Sequence, residues 1–463
     1  MGKEFRKEKD IIGEVEVPAD VYWGISTFRA VQNFKISNKR FPVIFLTSLA
    51  LIKKACLLAN MELGSIDREK GNAILQALKE LLEDGRFLDQ FPIDVYQTGS
   101  ATQTNMNMNE VLSNRANEIL GFPMGKKHPV HPNDHVNSGQ STNDVVPSAM
   151  HLSALYLAQK RLIPSLEKLE KTLVRKIKEF EGIVKVGRTH LQDAVPISLS
   201  MEFRVYKQQV KIGISRIKAV CEELMFIPLG GTAVGTGIDT HQGFDRITVQ
   251  KLRELTGFPL KLNPVKAEGI SSHNRVAAMS AAVRQLALSL MKMANDIRWM
   301  GSGPRAGLFE LTLPANEPGS SIMPGKVNPT QAEAVIQVCI QAMGNDTVVS
   351  MAESYGSVLD LNVCKPVMIY NLLDSMELIA NAVHSFIEHC LTGIKANKEH
   401  ISILLERSLM TVTNLSPYIG YDKCAEIAQK AFRENKTIKE VLIELNIKIN
   451  GNIDELLDPR KMV

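Results

Sequence analysis

The stretch "VAAMSAAVRQLALSLMKMANDIRWM", residues 276–300, decides the fold. Its apolar residues occupy so much of a helical circumference that no broad polar face is left. At a rise of about 1.5 Å per residue, a helix over this stretch spans roughly 37 Å. A helix so long and so poorly polar belongs inside a bundle, often one shared between chains. The segments Val145 to Phe180, Met201 to Phe226 and Thr330 to Ser354 repeat the theme. The first reads as one amphipathic helix kinked near Pro164. Helical periodicity also runs from Val43 to about Leu82. The first forty residues are polar and broken, with "GEVEVPADVYWG" as the short extended element, and beyond about Ile394 the helices are shorter and more charged. The expected class is all-α.

Composition agrees. The chain has 463 residues, 44% hydrophobic but only 6% aromatic, with 19 Met and two Trp, which favours helices packed on helices over a β-sandwich. Its 54 Lys and Arg against 50 Asp and Glu leave a net charge of +4 without a basic stripe, so nucleic acid is not an expected partner. Six scattered cysteines lack C-x-x-C or zinc-finger spacing. They read as reduced core thiols in a cytoplasmic protein. No uninterrupted run of about 18 apolar residues suggests a membrane span, and "MGKEFRKEKD" is too charged for a signal segment.

Polar sequence concentrates in a few stretches. "TGSATQTNMNMNEVLSNRA" (98–116) and "HPNDHVNSGQSTNDVVPSAM" (131–150) crowd Ser, Thr and Asn at helix starts, where the same residues also serve as plain caps and turns. "GRTHLQDAVP" (187–196) sets His190 between Thr189 and Asp193. "LGGTAVGTGIDT" (229–240) is glycine-rich without matching a dinucleotide fingerprint.

"GSSIMPGKVNPTQAEA" (319–334) is the remaining block. Its Gly325-Lys326 falls short of a phosphate-binding P-loop, because the glycine spacing is wrong and Val327 stands where a hydroxyl is required. Asn328-Pro329 reads as an N-cap followed by proline at the first helical position. That places Lys326 and Asn328 at a helix N-terminus, a natural seat for a small carboxylate. Many neutral donors with one lysine would bind a small polyanion, leaving a histidine and a serine to carry protons. Such a site suits proton removal next to a carboxylate.

These blocks closely resemble the fumarase/aspartase superfamily, and within it the class II fumarate hydratases. The opening of the 319–334 block matches the superfamily pattern G-S-S-x-M-P-x-K-x-N without a gap, and the resemblance runs from "EKDIIGEVEVPADVYWG" to "IGYDKCAEIAQKA". "QTGSATQTNMN", "HPND", "LPANEPGSS", "NPTQAEA" and "NVCKPVMIYN" look fumarase-like. Ala101 in place of the usual glycine, "GIDT" for "GLNT", and the Phe of "LSMEF" depart from the pattern and leave substrate tuning open. The resemblance implies three domains (1–138, 139–393, 394–463) and a homotetramer with a twenty-helix core, each active site being built from three chains. It implies reversible hydration of fumarate to L-malate in the tricarboxylic acid cycle, with no cofactor and no metal. Aspartate ammonia-lyase, or a non-catalytic member, is the alternative. Carried over by resemblance, His190, Ser320, Lys326 and Glu333 are catalytic. Ser100, Ala101, Thr102, Ser141, Thr142, Asn143, Thr189, Ser321 and Asn328 bind substrate, and His131, Pro132, Asn133 and Asp134 form a secondary dicarboxylate site.

Overall fold

The computed structural model describes residues 4–463. Long helices dominate, at Val43–Glu62, Leu199–Leu224, Asn274–Met300, Thr330–Gly356 and Lys365–His389. The described strands pair only two by two. The extended element foreseen near residue 14 is Glu14–Pro18, antiparallel to Phe5–Lys9.

The Asn274–Met300 helix shows why its sequence folds as it does. Val276, Met279, Val283, Leu286, Leu290, Met293, Ile297 and Met300 are all buried, at alternating steps of three and four residues. This is the seam of a coiled-coil-like packing. Each such side chain contributes about 1.5–3 kcal/mol of burial free energy.

The chain forms two compact units. The first comprises residues 1–163, 215–284 and 341–378, the second 164–214, 285–340 and 379–463. Four of the five crossings between them lie inside long helices. In the first unit the Val43–Glu62 helix packs against the Arg68–Leu82, Thr142–Leu157 and Phe244–Thr256 helices. It is long and apolar enough to cross a membrane by composition alone, but two thirds of its most apolar window is buried in the protein. It is a core helix. The second unit contains the Val184–Ser198 hairpin and a separate hydrophobic cluster built on Val412, Leu415, Ile427, Ile438, Val441 and Leu442.

Three expectations need correction. The segment 145–180 is not simply kinked at Pro164: a π-turn, Ala158–Leu162, separates the Thr142–Leu157 and Ile163–Glu179 helices. Proline lacks an N–H and crowds the carbonyl four residues back, and the strain is relieved in the turn before it. The Lys365–His389 and Phe244–Thr256 helices were not anticipated. Finally, the helix after the 319–329 loop begins at Thr330, and Asn328 directs its amide back to Gly319 O at 2.7 Å.

Candidate active site

In the first unit, Ser100, Ala101 and Thr102 form the turn into the Thr102–Ile119 helix. Gly99 determines where that turn lies: its carbonyl accepts the Lys365 N–H at 3.0 Å, and a Cβ added to it would fall 1.4 Å from Val363 O. Ala101 is fully buried in the left-handed region (φ 64°), and its N–H is bonded to Thr98 O at 2.9 Å. It shapes the turn and presents no free donor. The Ser100 and Thr102 hydroxyls stay partly exposed, 2.8 Å apart.

Ser141 caps the Thr142–Leu157 helix, its hydroxyl accepting the Asn143 N–H. Asp144, fully buried, binds the Ser141 N–H with one oxygen and the Gly230 and Thr232 N–H groups with the other, at 2.9–3.0 Å. Asn143 Nδ2 reaches Ala233 O. The glycine-rich stretch 229–240 is therefore a clasp that holds this helix start. Burial pushes the Asp144 carboxyl up to about 6, against the opposing pull of those N–H groups.

A shared acceptor joins the two helix starts. Asn137 Oδ1 receives Lys53 Nζ (2.8 Å), Asn105 Nδ2 (3.1 Å) and Asn109 Nδ2 (3.2 Å), and Asn105 also donates to Thr142 Oγ1 (3.1 Å). Desolvation lowers the fully buried Lys53 to about 7. Two helix N-termini with a buried amine nearby suit an anion. The sequence reading missed Lys53 and Asn137; a lysine in the middle of the apolar run "SLALIKKACLL" was the available signal.

His131 caps a π-turn, Pro132–Val136, its Nδ1 accepting the Asn133 and Asp134 N–H groups at 3.2 Å. Because that nitrogen is an acceptor, its 3.4 Å approach to Asp134 is not a charged pair in this tautomer. Asn133 and Asp134 are exposed, and Pro132 is buried.

In the second unit, Val184–Thr189 and Gln192–Ser198 form a hairpin whose two-residue turn is His190-Leu191. Both have positive φ, 57° and 59°, which a type I′ turn requires and side-chain-bearing residues resist. The turn lifts Thr189 and His190 into the open. The 319–329 loop is tied at its base by Gly319 N–H to Lys326 O (2.7 Å) and by the Asn328 amide. Ser320 Oγ accepts the Ile322 and Met323 N–H groups at 3.2 and 2.9 Å. These local turn bonds fix where the hydroxyl oxygen points. Ser321 and Lys326 are exposed, and Glu333 sits half-buried in the first turn of its helix. Among the described residues, no hydrogen bond or ion pair joins His190 to Ser320, Lys326 or Glu333. A cavity of about 730 Å³ near Glu181–Val184 and the C-terminal segments is lined by none of the candidate residues.

Comparison with known proteins bears on all of this. The lyase family matches residues 13–344, and the family of the fumarase C C-terminus matches 412–463. A mitochondrial fumarate hydratase of Rhizopus oryzae is 49% identical over 463 residues, covering 100% of this chain and 93% of the relative. A class II fumarate hydratase of Nitrosomonas europaea is 48% identical, covering 99% of both. The crystal structure of a recombinant class II fumarase from Schistosoma mansoni superposes with a TM-score of 0.95 at 40% identity, covering 99% of each chain. With this similarity along its whole length, the chain belongs to the class II fumarate hydratase family.

Proposed function

We propose that this chain catalyses the reversible hydration of fumarate to L-malate, as a step of the tricarboxylic acid cycle. The observation that carries the reading is the similarity to fumarate hydratases over 99–100% of the chain. In the dehydration direction Ser320 takes the proton from C3 of malate, leaving a carbanion delocalised into the adjacent carboxylate. Lys326, Asn328 and the helix N-termini stabilise that extra charge as it develops, each lost donor being worth about 3–4 kcal/mol. His190, supported by Glu333, protonates the hydroxyl that departs from C2 as water, on the opposite face. The backbone N–H bonds to Ser320 Oγ support its role as base. Ser100, Thr102, Ser141, Thr142, Asn143, Thr189 and Ser321 hold the two carboxylates, and residues 131–134 form a secondary dicarboxylate site.

The assembly is a homotetramer with sites shared among three chains, its protomers divided into domains 1–138, 139–393 and 394–463. Exposed apolar side chains support this. Ile340, Val348, Met351 and Tyr355 follow helical spacing along one face of the Thr330–Gly356 helix, with Tyr355 88% exposed. A stripe of that kind needs a partner helix. The compartment is the cytoplasm: six free thiols, five of them buried, suit a reducing environment.

The test is the absorbance change of fumarate on adding malate, and then aspartate, to chelator-treated protein. Interconversion of malate and fumarate at an undiminished rate is expected. Ammonia release from aspartate with malate inert would install the ammonia-lyase instead. For the shared site, equal amounts of His190→Asn and Lys326→Met chains are unfolded and reassembled together. Random assembly returns about one quarter of wild-type activity if the two residues of one centre come from different chains, and none if they come from one.

A further inference from the structure

The hairpin that carries His190 rests on buried charge. Lys185 and Arg188, on the strand leading to the turn, face Glu310 and Glu202. Arg188 donates to Glu310 Oε1 at 2.7 Å. Lys185 Nζ lies 3.2 Å from Glu310 Oε2, donates to Glu202 Oε1 at 3.1 Å and caps Val186 O at 2.9 Å. The side chains of Glu310, Lys185 and Arg188 are 0%, 2% and 13% exposed. Two cations balance two carboxylates, and Glu310 alone touches both cations.

Glu310 is itself held firmly. Its N–H donates to Met300 O at 2.8 Å, the end of the long Asn274–Met300 helix, and its carbonyl accepts the Asn397 N–H at 2.9 Å. The hairpin above it is irregular. Its register shifts between Val186 and Arg188, where a Cβ on Gly187 would lie 2.4 Å from Val195 O, and its turn places two non-glycine residues at positive φ. A strained turn persists only where its surroundings hold it. Nor does packing alone close the space around this one: a cavity of about 200 Å³, bounded by Leu191, Arg188, Glu202, Tyr206 and Trp299, leaves the strand room to shift.

We infer that Glu310 is a positioning residue for the reaction, holding Arg188 and Lys185 so that the strained turn presents His190 in one place. The inference rests on the proposed role of His190. Its mechanism is geometric. Replacing the carboxylate by an amide leaves two buried cations with one carboxylate between them, and the strand loses the partner that fixes Arg188 two residues before His190. Small displacements of a proton-transfer group reduce turnover far more than they weaken substrate binding.

The experiment combines kinetics with hydrogen exchange on full-length Glu310→Gln and Glu310→Asp, each alone and with His190→Asn. Glu310→Gln is expected to lower kcat about 10- to 100-fold with KM within about threefold. Peptides covering 184–198 should exchange faster while those of the Asn274–Met300 helix do not. Glu310→Asp, which keeps the charge and shortens its reach, should recover part of kcat and stands in if the amide variant fails to accumulate. Adding Glu310→Gln to His190→Asn should produce no further loss. A loss of the same factor in that background, or a Glu310→Gln protein with normal kcat and unchanged hairpin exchange, overturns the inference. Undiminished kcat in His190→Asn alone would instead overturn the role of that histidine, and the exchange data would still decide whether Glu310 holds the hairpin.

Discussion

The polar groups that start the Thr102 and Thr142 helices are interlocked, whereas those of the His190 turn and the 319–329 loop stand open. In the first unit Asn105, Asn109 and Lys53 converge on Asn137, and Asp144 clasps the Gly230 and Thr232 N–H groups, all but Asn137 fully buried. In the second, Ile322 is 83% exposed and the residues from Ser321 to Val327 all face solvent. The two regions therefore hold their polar groups by different means. A carboxylate-binding surface gains from rigid, preorganised donors. The groups proposed to move protons are fixed by backbone geometry instead of burial: a type I′ turn for His190, two N–H bonds for Ser320.

The sharpest way to break this comparison is to remove the exposed groups. His190→Asn and Ser320→Ala should each lower kcat by about 10² or more, because general acid–base assistance is worth roughly 10²–10⁴. Thermal melting should be nearly unchanged, since neither side chain is buried. A large loss of stability in either variant would mean that the open region is as structural as the interlocked one.

The interlocked region should respond in the opposite way. Gly99→Ala drives a methyl into Val363 O, and backbone on both sides must shift. Overpacking of this kind typically costs about 1–3 kcal/mol, and this contact is closer than most. The expected outcome is a lower urea midpoint together with a raised KM, as Ser100 and Thr102 move with the turn. A raised KM at unchanged stability would show that the turn yields without resistance.

How far the sequence disclosed these two regions follows the same division. The open residues lie in short motifs, and one gapless stretch, 319–328, is enough to find Ser320, Lys326 and Asn328. The long helices were visible because their apolar seams repeat every three or four residues. Lys365–His389 escaped because its sequence starts in a motif that draws attention to Lys365, which is fully buried and lowered by desolvation to about 7. Lys53 had its signal in the apolar run around it, but Asn137 and Glu310 escaped for a deeper reason. The side-chain partners that Asn137 and Glu310 meet in the buried clusters are 28 to 125 residues away along the chain, and nothing local distinguishes a buried, paired polar group from a solvated one.

Histidines offer a milder test. His151 belongs to the interlocked unit, with Nδ1 3.2 Å from Leu224 O, and burial lowers it to about 4. Between its ordinary pKa of 6.5 and about 4, the unfolded chain binds a proton that the folded chain refuses. Stability should therefore fall as pH drops through that window and be independent of this group above it, by about 3 kcal/mol in full. His273, also buried and lowered, adds a term of the same sign. His151→Gln should flatten the slope of the urea midpoint between pH 7 and 4.5. An equally steep slope in the variant would assign the acid sensitivity to other groups.

The smallest expected effect is at Leu191, and it separates strain from anchoring. Glycine at this position relieves a left-handed side-chain conformation worth about 1 kcal/mol, but it widens the freedom of the unfolded chain by a similar amount. Stability of Leu191→Gly should then stay within about 0.5 kcal/mol of wild type. Turnover should not stay so close. If the strained turn helps to fix His190, a glycine beside it lets the imidazole sample more positions, and kcat should fall a few-fold with KM constant. Unchanged kcat would mean that the buried charges under the hairpin hold the histidine unaided, and that the positive φ at Leu191 is only how a two-residue turn closes. A loss as large as that of His190→Asn would show the reverse, with the turn alone setting the geometry.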